Sequence, residues 1–311
     1  MERIHITDVS PRDGLQNQQV QVSTADKLEL IRLLAAAGVQ SVEATSFVSP
    51  KAVPQMADAG ELVARLNAAA LPGLRSSVLV PNLKGLERAH AAGAREIAVV
   101  LSATETMNRK NINMGLQEAT EVSAQTLAEA QRLGMRTRAY VAVAFDCPFE
   151  GETPLSEVVR LAARMREEGA GEIVIADTIG SASPGQVKAR LGALREVVPV
   201  AQLAVHFHDT RGMGVANAWA ALEAGVRRFD ASVGGIGGCP FAPGAAGNVA
   251  TEDLVLMAER SGFSTGISID GLLDAVDFAE AQLQRALGGR AITWLRRQRE
   301  KERGTQAART A

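Results

Sequence analysis

Two of the four histidines in the chain, His206 and His208, lie two residues apart at the end of an apolar run. A β-strand places alternate side chains on one face, so both imidazoles are predicted to point the same way and Phe207 the other way. Two imidazoles that converge at a strand end suit a divalent metal ion, because neutral imidazole is a common metal ligand. On these residues alone, a pair of hydrogen-bonded structural histidines is an equally good explanation.

Oxygen ligands elsewhere in the sequence favour the metal. Asp13, after the first predicted strand, supplies a carboxylate, and Asn248, in the loop after the eighth, supplies an amide oxygen. One carboxylate, two imidazoles and one amide oxygen suit Mg²⁺, Mn²⁺ or a similar ion that keeps open water positions. Zinc is less favoured because the set is rich in oxygen and has no thiolate. The sequence therefore predicts a Mg²⁺ or Mn²⁺ cofactor.

Charged and polar residues at other strand ends suggest what the metal site would do. Arg12 is either a surface partner of its neighbour Asp13 or a fixed cation that stabilises an oxyanion beside the metal. Glu43 and Asp177 lie on buried strands, and we predict that they orient Arg12 or the histidines rather than transfer protons. Structural ion pairing is their alternative role. Tyr140, the only tyrosine in the chain, lies on the fifth strand.

Cys239 lies in a segment with six glycines between Gly234 and Gly247. Glycine at this density gives the backbone freedom and allows close approach to a ligand. The plain interpretation is a flexible loop, but a cysteine carried past a metal site indicates a mobile catalytic loop. A thiol whose pKa is lowered by nearby cations can transfer a proton. Cys147, which lacks such glycines, is predicted to be structural.

Short apolar runs and longer amphipathic segments alternate along the chain, which predicts a (β/α)8 TIM barrel with additional C-terminal helices. An open doubly wound sheet is the alternative, and the lack of a G-x-G-x-x-G after the first strand weakens it. Helices are predicted at 24–37, 55–69, 82–92, 117–133, 155–168, 184–197 and 213–224, then at 251–261 and 269–287. The eight strands are predicted at 3–9, 41–45, 75–80, 96–101, 136–145, 172–177, 202–208 and 228–233.

The composition excludes several classes of protein. A net charge of −2 does not indicate binding to nucleic acid or to an anionic membrane, and no apolar run reaches the length of a membrane span. Two cysteines in 311 residues do not make a disulfide framework, so we expect a reduced, cytoplasmic setting. We predict one domain, residues 1–290, and a charged tail, residues 291–311, that is frayed or disordered.

Five motifs resemble the 3-hydroxy-3-methylglutaryl-CoA lyase family, and the resemblance runs from about residue 4 to residue 287. Two of them, Pro11–Gln16 and His206–Thr210, are shared with the wider group of metal-dependent barrels that includes Claisen-type acyl-CoA synthases. Three narrow the resemblance to the lyases. These are the segment 45–56, Lys110–Asn113 and the Gly-Gly-Cys-Pro sequence at 237–240.

The resemblance implies a role for each matching residue. Asp13, His206, His208 and Asn248 match the metal-binding positions. Arg12 matches the arginine that contacts the substrate and stabilises an enolate. Proton transfer falls to Cys239 or to a histidine, for which we take His206. Further active-site positions are matched by Glu43, Asp177, Tyr140 and Glu252.

The implied activity is retro-Claisen cleavage of 3-hydroxy-3-methylglutaryl-CoA to acetyl-CoA and acetoacetate, in leucine catabolism. An acyl-CoA substrate and a second copy of the chain, as a homodimer, are the expected partners. The chain departs from the family pattern at Phe207, Arg211 and Phe241. The departures at Arg211 and Phe241 leave open a related substrate, such as citramalyl-CoA or a longer 3-hydroxy-3-alkylglutaryl-CoA. A Claisen-type synthase and a non-catalytic paralogue are further alternatives, which the cysteine loop and the intact polar residues disfavour.

Overall fold

Eight parallel strands close into a barrel in the computed structural model, which describes residues 1–238 and 247–310. The last strand pairs with the first, with Arg228 opposite His5 and Asp230 opposite Thr7, and this pairing closes the ring. The predicted barrel is therefore confirmed. Its strands are β1 (His5–Asp8), β2 (Ser41–Ser46), β3 (Arg75–Leu79), β4 (Glu96–Ser102), β5 (Arg136–Ala142), β6 (Glu172–Asp177), β7 (Leu203–Phe207) and β8 (Arg228–Ala231).

Helices follow the strands and cover the outside of the barrel. Ser23 is the N-cap of the first helix, because its side chain accepts a hydrogen bond from the Asp26 backbone N–H. The helix ends before Gly38, which has φ +98°. The helices are α1 (Thr24–Ala36), α2 (Ala59–Ala69), α3 (Leu83–Ala91), α4 (Glu105–Ile112), α5 (Leu116–Arg132), α6 (Leu155–Glu167), α7 (Pro184–Leu194), α8 (Gly214–Glu223), α9 (Thr251–Arg260), α10 (Ile269–Leu283) and α11 (Ile292–Thr310). Those predicted from the sequence are present, with bounds that differ by a few residues.

Three segments differ from the prediction. Helix α4 was not predicted, and the helix predicted from residue 55 is a 3₁₀ turn, Pro54–Met56, followed by α2. The tail that we expected to be frayed or disordered contains α11 instead. It lies against α10 because Leu295 is buried and Arg299 makes ion pairs with Asp274 and Asp277 at 2.9 and 2.6 Å.

Side chains of β7 and of the residue after it point alternately to the outer apolar core and to the cavity inside the barrel. Phe207 belongs to the large apolar cluster and lies 6.4 Å from the ring of Phe145. His206 and His208 face the barrel interior and line its cavity. Among the helices that the structure describes, none is long and apolar enough to cross a membrane.

Candidate active site

Asp13, His206 and His208 meet at the C-terminal end of the barrel. Asp13 lies in a π-helical turn, Ser10–Gly14, directly after β1, and the two histidines lie at the end of β7. One ligand atom from each of the three residues lies within 4.8 Å of the others. Sequence reasoning predicted this convergence, and the geometry suits a single bound cation.

Asn248 lies beside this group. Its Nδ2 donates to Asp13 Oδ2 at 2.8 Å and to the Ile236 carbonyl oxygen at 3.1 Å, and its backbone forms an isolated bridge with His208. The neighbouring Gly237 has φ +145°, and a Cβ there would lie 2.6 Å from Asn248 Nδ2. Only glycine leaves room for this amide side chain.

The electrostatics of the group fit a cation. Burial and the charge of His206 lower the pKa of His208 to about 4, so this imidazole is neutral and has a free lone pair. Burial favours the neutral form of Asp13, but Arg12 and the two histidines lower the pKa of its carboxyl below the usual value. Among the described residues, His208 Nδ1 and Asn248 Oδ1 are buried without a hydrogen-bond partner. Ligand atoms of a divalent ion would be left in this state, so the residues fit one.

Arg12 is held between two carboxylates. Its Nε donates to Glu43 Oε2 at 2.5 Å, and its Nη1 donates to Asp13 Oδ1 at 2.8 Å. Burial alone would lower the pKa of Arg12, but Glu43 and Asp13 raise it above its ordinary value. The guanidinium is therefore a fixed cation next to the three candidate ligands. The contact between Glu43 and Arg12 fits both roles that the sequence suggested for Glu43, an orienting residue and a structural ion-pair partner.

A cavity of about 560 Å³ opens over these residues. Arg12, Asp13, His206 and His208 all line it, and so does Tyr140 on β5. Its remaining wall is largely apolar and includes two segments that carried the resemblance. The first segment, after β2, contributes Val48, Ser49 and Val53 to the wall. The second, at the end of α4, contributes Lys110, Asn111 and Asn113.

A profile of the family described as HMGL-like matches residues 3–279 of the chain. The chain belongs to the HMGL-like family. A hydroxymethylglutaryl-CoA lyase of Bacillus subtilis is 42% identical over 291 residues, which are 94% of this chain and 97% of that protein. These matches confirm the resemblance found in the sequence and the lyase class that it implied.

Solved structures of HMG-CoA lyases have the same fold as this chain. The HMG-CoA lyase of Bacillus subtilis superposes with a TM-score of 0.91 at 41% identity, over 95% of this chain and 99% of that one. An HMG-CoA lyase of Acinetobacter baumannii, solved in complex with coenzyme A and 3-methylmalate, gives a TM-score of 0.89 at 40% identity, over 94% of each chain.

Asp177 has a different environment in this HMGL-like protein from the one predicted. Its carboxylate accepts hydrogen bonds from the backbone N–H groups of Ser181 and Ala182, at 2.9 and 3.0 Å. Ala176 lines the cavity, so the next side chain along β6 points away from it. The prediction that Asp177 orients Arg12 or the histidines is therefore wrong: it holds the loop that follows its own strand.

Glu252, at the start of α9, supports the glycine-rich loop from outside the site. Its carboxylate accepts hydrogen bonds from the Gly234 and Gly289 backbone N–H groups, at 3.1 and 2.8 Å. Burial raises the pKa of Glu252 to about 7, although these backbone donors oppose the rise. Cys239 and Phe241, singled out from the sequence, lie outside the described residues.

Asp230 on β8 is a residue that sequence reasoning missed. It is buried and contacts Arg138, Tyr140 and His206. Tyr140 was predicted to belong to the site, and it does so by donating its hydroxyl hydrogen to Asp230 at 2.7 Å. An acidic residue inside a predicted barrel strand was the available signal, because such a charge is seldom buried without a partner.

Proposed function

We propose that this chain is a divalent-metal-dependent lyase that cleaves 3-hydroxy-3-methylglutaryl-CoA to acetyl-CoA and acetoacetate. The observation that carries the proposal is the group of Asp13, His206 and His208, with ligand atoms within 4.8 Å, directly beside the buried cation of Arg12. The names of the relatives support the same substrate, and the coenzyme A in the Acinetobacter baumannii structure supports an acyl-CoA ligand.

Four residues would hold the metal, namely Asp13, His206, His208 and Asn248. A divalent cation bound there would withdraw electron density from the oxygen atoms of the substrate and favour loss of the 3-hydroxyl proton. The oxygen-containing set favours Mg²⁺ or Mn²⁺ as the native ion.

Arg12 would stabilise the charge that develops during the reaction. The 3-hydroxyl would give its proton to water in the cavity, the electron pair of its O–H bond would form the ketone of acetoacetate, and the C2–C3 bond would break. The electron pair of that bond passes to the departing thioester as an enolate, whose oxygen is negatively charged. Arg12 is already fixed by Glu43 and Asp13, so it needs no rearrangement to meet this charge.

A proton must then reach C2 of the enolate to give acetyl-CoA. We assign this step to Cys239, because His206, the other residue that the sequence suggested for proton transfer, would be occupied as a metal ligand. Cys239 directly follows Gly238 in the glycine-rich segment. Gly238 is the last described residue before it and lines the cavity. A Cys239→Ser variant should lose turnover and keep its affinity for the metal. A large loss of metal affinity would make Cys239 a ligand instead.

Three further proposals concern the setting of the enzyme. We propose that it acts in leucine degradation, in the cytoplasm and as a homodimer. The resemblance to the lyase family supports the pathway and the dimer, and the low cysteine content supports a reducing compartment.

A related acyl-CoA is the second candidate substrate. The cavity wall includes four small or medium-sized apolar side chains, which would accept an alkyl group other than the 3-methyl group of the substrate. These are Leu79, Val100, Ala142 and Ala176. Citramalyl-CoA or a longer 3-hydroxy-3-alkylglutaryl-CoA would therefore be the alternative.

Steady-state assays on a panel of these thioesters test both candidates. The protein is first stripped with a chelator and then reloaded with Mg²⁺ or Mn²⁺. We expect acetoacetate release only after reloading, with the highest kcat/KM for the 3-hydroxy-3-methylglutaryl ester. A preference of more than about tenfold for another ester, the scale of one misfitted methylene, would overturn the substrate assignment.

A further inference from the structure

Asp230 is a buried carboxylate in the barrel that no role described above employs. Its side chain is fully buried, and three side chains contact its two oxygen atoms. Arg138 Nη2 donates to Oδ1 at 2.6 Å, the Tyr140 hydroxyl donates to Oδ2 at 2.7 Å, and His206 Nδ1 lies 3.4 Å from Oδ2. One oxygen therefore faces a structural cation, and the other faces a candidate metal ligand.

Arg138 fixes the position of this carboxylate. Its own side chain is buried, and its Nε donates to Glu172 Oε1 at 2.6 Å while its Nη2 holds Asp230. Arg138 also donates to the Tyr140 hydroxyl at 3.0 Å, so the three groups brace one another. A carboxylate bound in this way cannot follow His206 if the imidazole turns, so the ring must orient to suit Asp230.

The contact decides which nitrogen of His206 can reach a cation. Because Nδ1 faces Asp230, this nitrogen carries the proton and donates it, and Nε2 is left with the free lone pair toward Asp13 and His208.

We propose that Asp230 is a positioning residue that holds His206 with Nε2 presented to the metal. The inference rests on the proposed metal site, and it adds a residue to which no role has been assigned. A carboxylate behind a metal-bound histidine fixes the ring and its tautomer, and its removal costs about 10- to 100-fold in metal affinity.

The Asp230→Asn variant tests the role because it reverses one hydrogen bond. Arg138 requires an oxygen atom, so the new amide must turn its NH₂ group toward Tyr140 and His206. His206 Nδ1 then faces a donor, and the proton moves to Nε2, where it blocks the metal. We expect Mn²⁺ affinity, measured from the free-ion EPR signal, to fall about 10- to 100-fold. Excess Mn²⁺ should restore part of the lost kcat, which would not happen if the barrel were simply disrupted.

Glu172→Gln is the matched control. It breaks the other ion pair of Arg138 and leaves the contact between Asp230 and His206 in place. It should therefore bind Mn²⁺ as the wild type does. If both variants lose affinity equally, or if Asp230→Asn loses none, the positioning role is overturned.

A measurement on the unaltered protein decides the point even if Asp230→Asn does not fold. With ¹⁵N-labelled histidine in the Mg²⁺-loaded protein, the imidazole shifts should show His206 protonated at Nδ1. A proton on Nε2 would contradict the inference. A wild-type protein that binds neither Mn²⁺ nor Mg²⁺ would instead contradict the proposed function, so the two failures are distinguishable.

Discussion

At the scale of single residues, the charges around Arg12 serve both stability and chemistry. Arg12 and Glu43 are buried together, and Glu43 has no other hydrogen-bond donor within the described part of the chain. A buried ion pair costs desolvation, and removing one partner leaves an uncompensated charge. This shared burial indicates that replacing Arg12 would affect folding as well as chemistry.

We predict that Arg12→Gln loses both activity and stability. The kcat should fall about 10²- to 10³-fold, because a fixed donor to the oxyanion is lost. The free energy of unfolding in urea should fall by about 3 kcal/mol, because Glu43 remains buried and unpaired.

The double variant Arg12→Gln/Glu43→Gln separates these two effects. Two amides can pair with each other, so most of the lost stability should return while kcat stays low. Arg190→Gln is a control, since Arg190 is a buried arginine away from the candidate site that donates to the carbonyl oxygens of Phe145 and Thr153, at 3.3 and 2.8 Å. If the double variant regains activity, Arg12 does not stabilise the enolate.

The sequence predicted some of these side chains and not others, for a physical reason. The placement of His206 and His208 on one face depends only on the two-residue period of a strand, which is a local property. The burial of Asp230 depends on its ion pair with Arg138, which lies 92 residues earlier in the chain, and no local pattern reveals that pair. The bounds of the strand that ends at Asp177 were predicted correctly, but the face that each side chain takes depends on how the strand sits in the closed barrel, which a single apolar run does not reveal.

At the scale of elements, the segment between β8 and α9 connects the metal site to the outer helices. Gly237 and Asn248 bring its two ends together at Asp13, while Glu252 binds Gly234 at its start. Glu252 also binds Gly289, in the connection between α10 and α11. The glycine-rich loop is thus held at both ends by contacts outside the loop itself.

We predict that Gly237→Ala weakens metal binding more than folding. The new Cβ would overlap Asn248 Nδ2, which also bonds Asp13, so Mn²⁺ affinity should fall by at least about tenfold. The free energy of unfolding should fall by about 1 kcal/mol, the scale of a non-glycine residue at positive φ. Gly185→Ala in α7, where a Cβ meets no atom within 4 Å, is the control and should leave Mn²⁺ affinity unchanged.

The buried Glu252 should make stability depend on pH. Its pKa is raised from 4.5 to about 7 in the folded protein, so between these values the folded state binds more protons than the unfolded state. The contribution is fully present below pH 4.5 and is lost as the pH rises through about 7. By the usual 1.4 kcal/mol per pKa unit, the loss is on the order of 3 kcal/mol.

Urea unfolding of the wild type and of Glu252→Gln at several pH values checks this expectation. The variant carries no titrating group there, so the stability of the wild type relative to the variant should decrease between pH 4.5 and about 7. A constant difference across that range would show that the folded Glu252 carboxyl titrates at its ordinary pKa.

At the scale of the whole molecule, α11 is stabilised by contacts with another helix. Arg296 and Arg299 make ion pairs with Asp277, and Arg296 also pairs with Glu280. The tail has the composition of a disordered segment, and its helical state depends on acidic residues of α10 that lie outside the tail. Strands such as β4 and β7, in contrast, were predictable because each carries its own apolar run. Helix α4 was missed because its eight residues are mostly polar.

We predict that Arg299→Ala releases α11 without affecting the barrel. Hydrogen exchange of the α11 amides should become faster, while the free energy of global unfolding changes by less than about 1 kcal/mol, the usual worth of such pairs. Arg303→Ala is the control, because Arg303 lies 3.8 Å from Asp270 and both side chains are largely exposed. Unchanged exchange in Arg299→Ala would show that the ion pairs of Arg299 do not hold the helix, and that Leu295 and the ion pairs of Arg296 suffice.

The two ends of the barrel sequence meet in the candidate metal site. Asp13 follows the first strand and bonds Asn248, 235 residues later, after the last strand. During synthesis, a chain released from the ribosome only as far as β7 has the histidines but lacks Asn248. Full-affinity Mn²⁺ binding would therefore begin only when β8 has paired with β1 and Asn248, which follows β8, has reached Asp13. The ion would report, in a refolding or translation experiment, the moment at which the barrel closes.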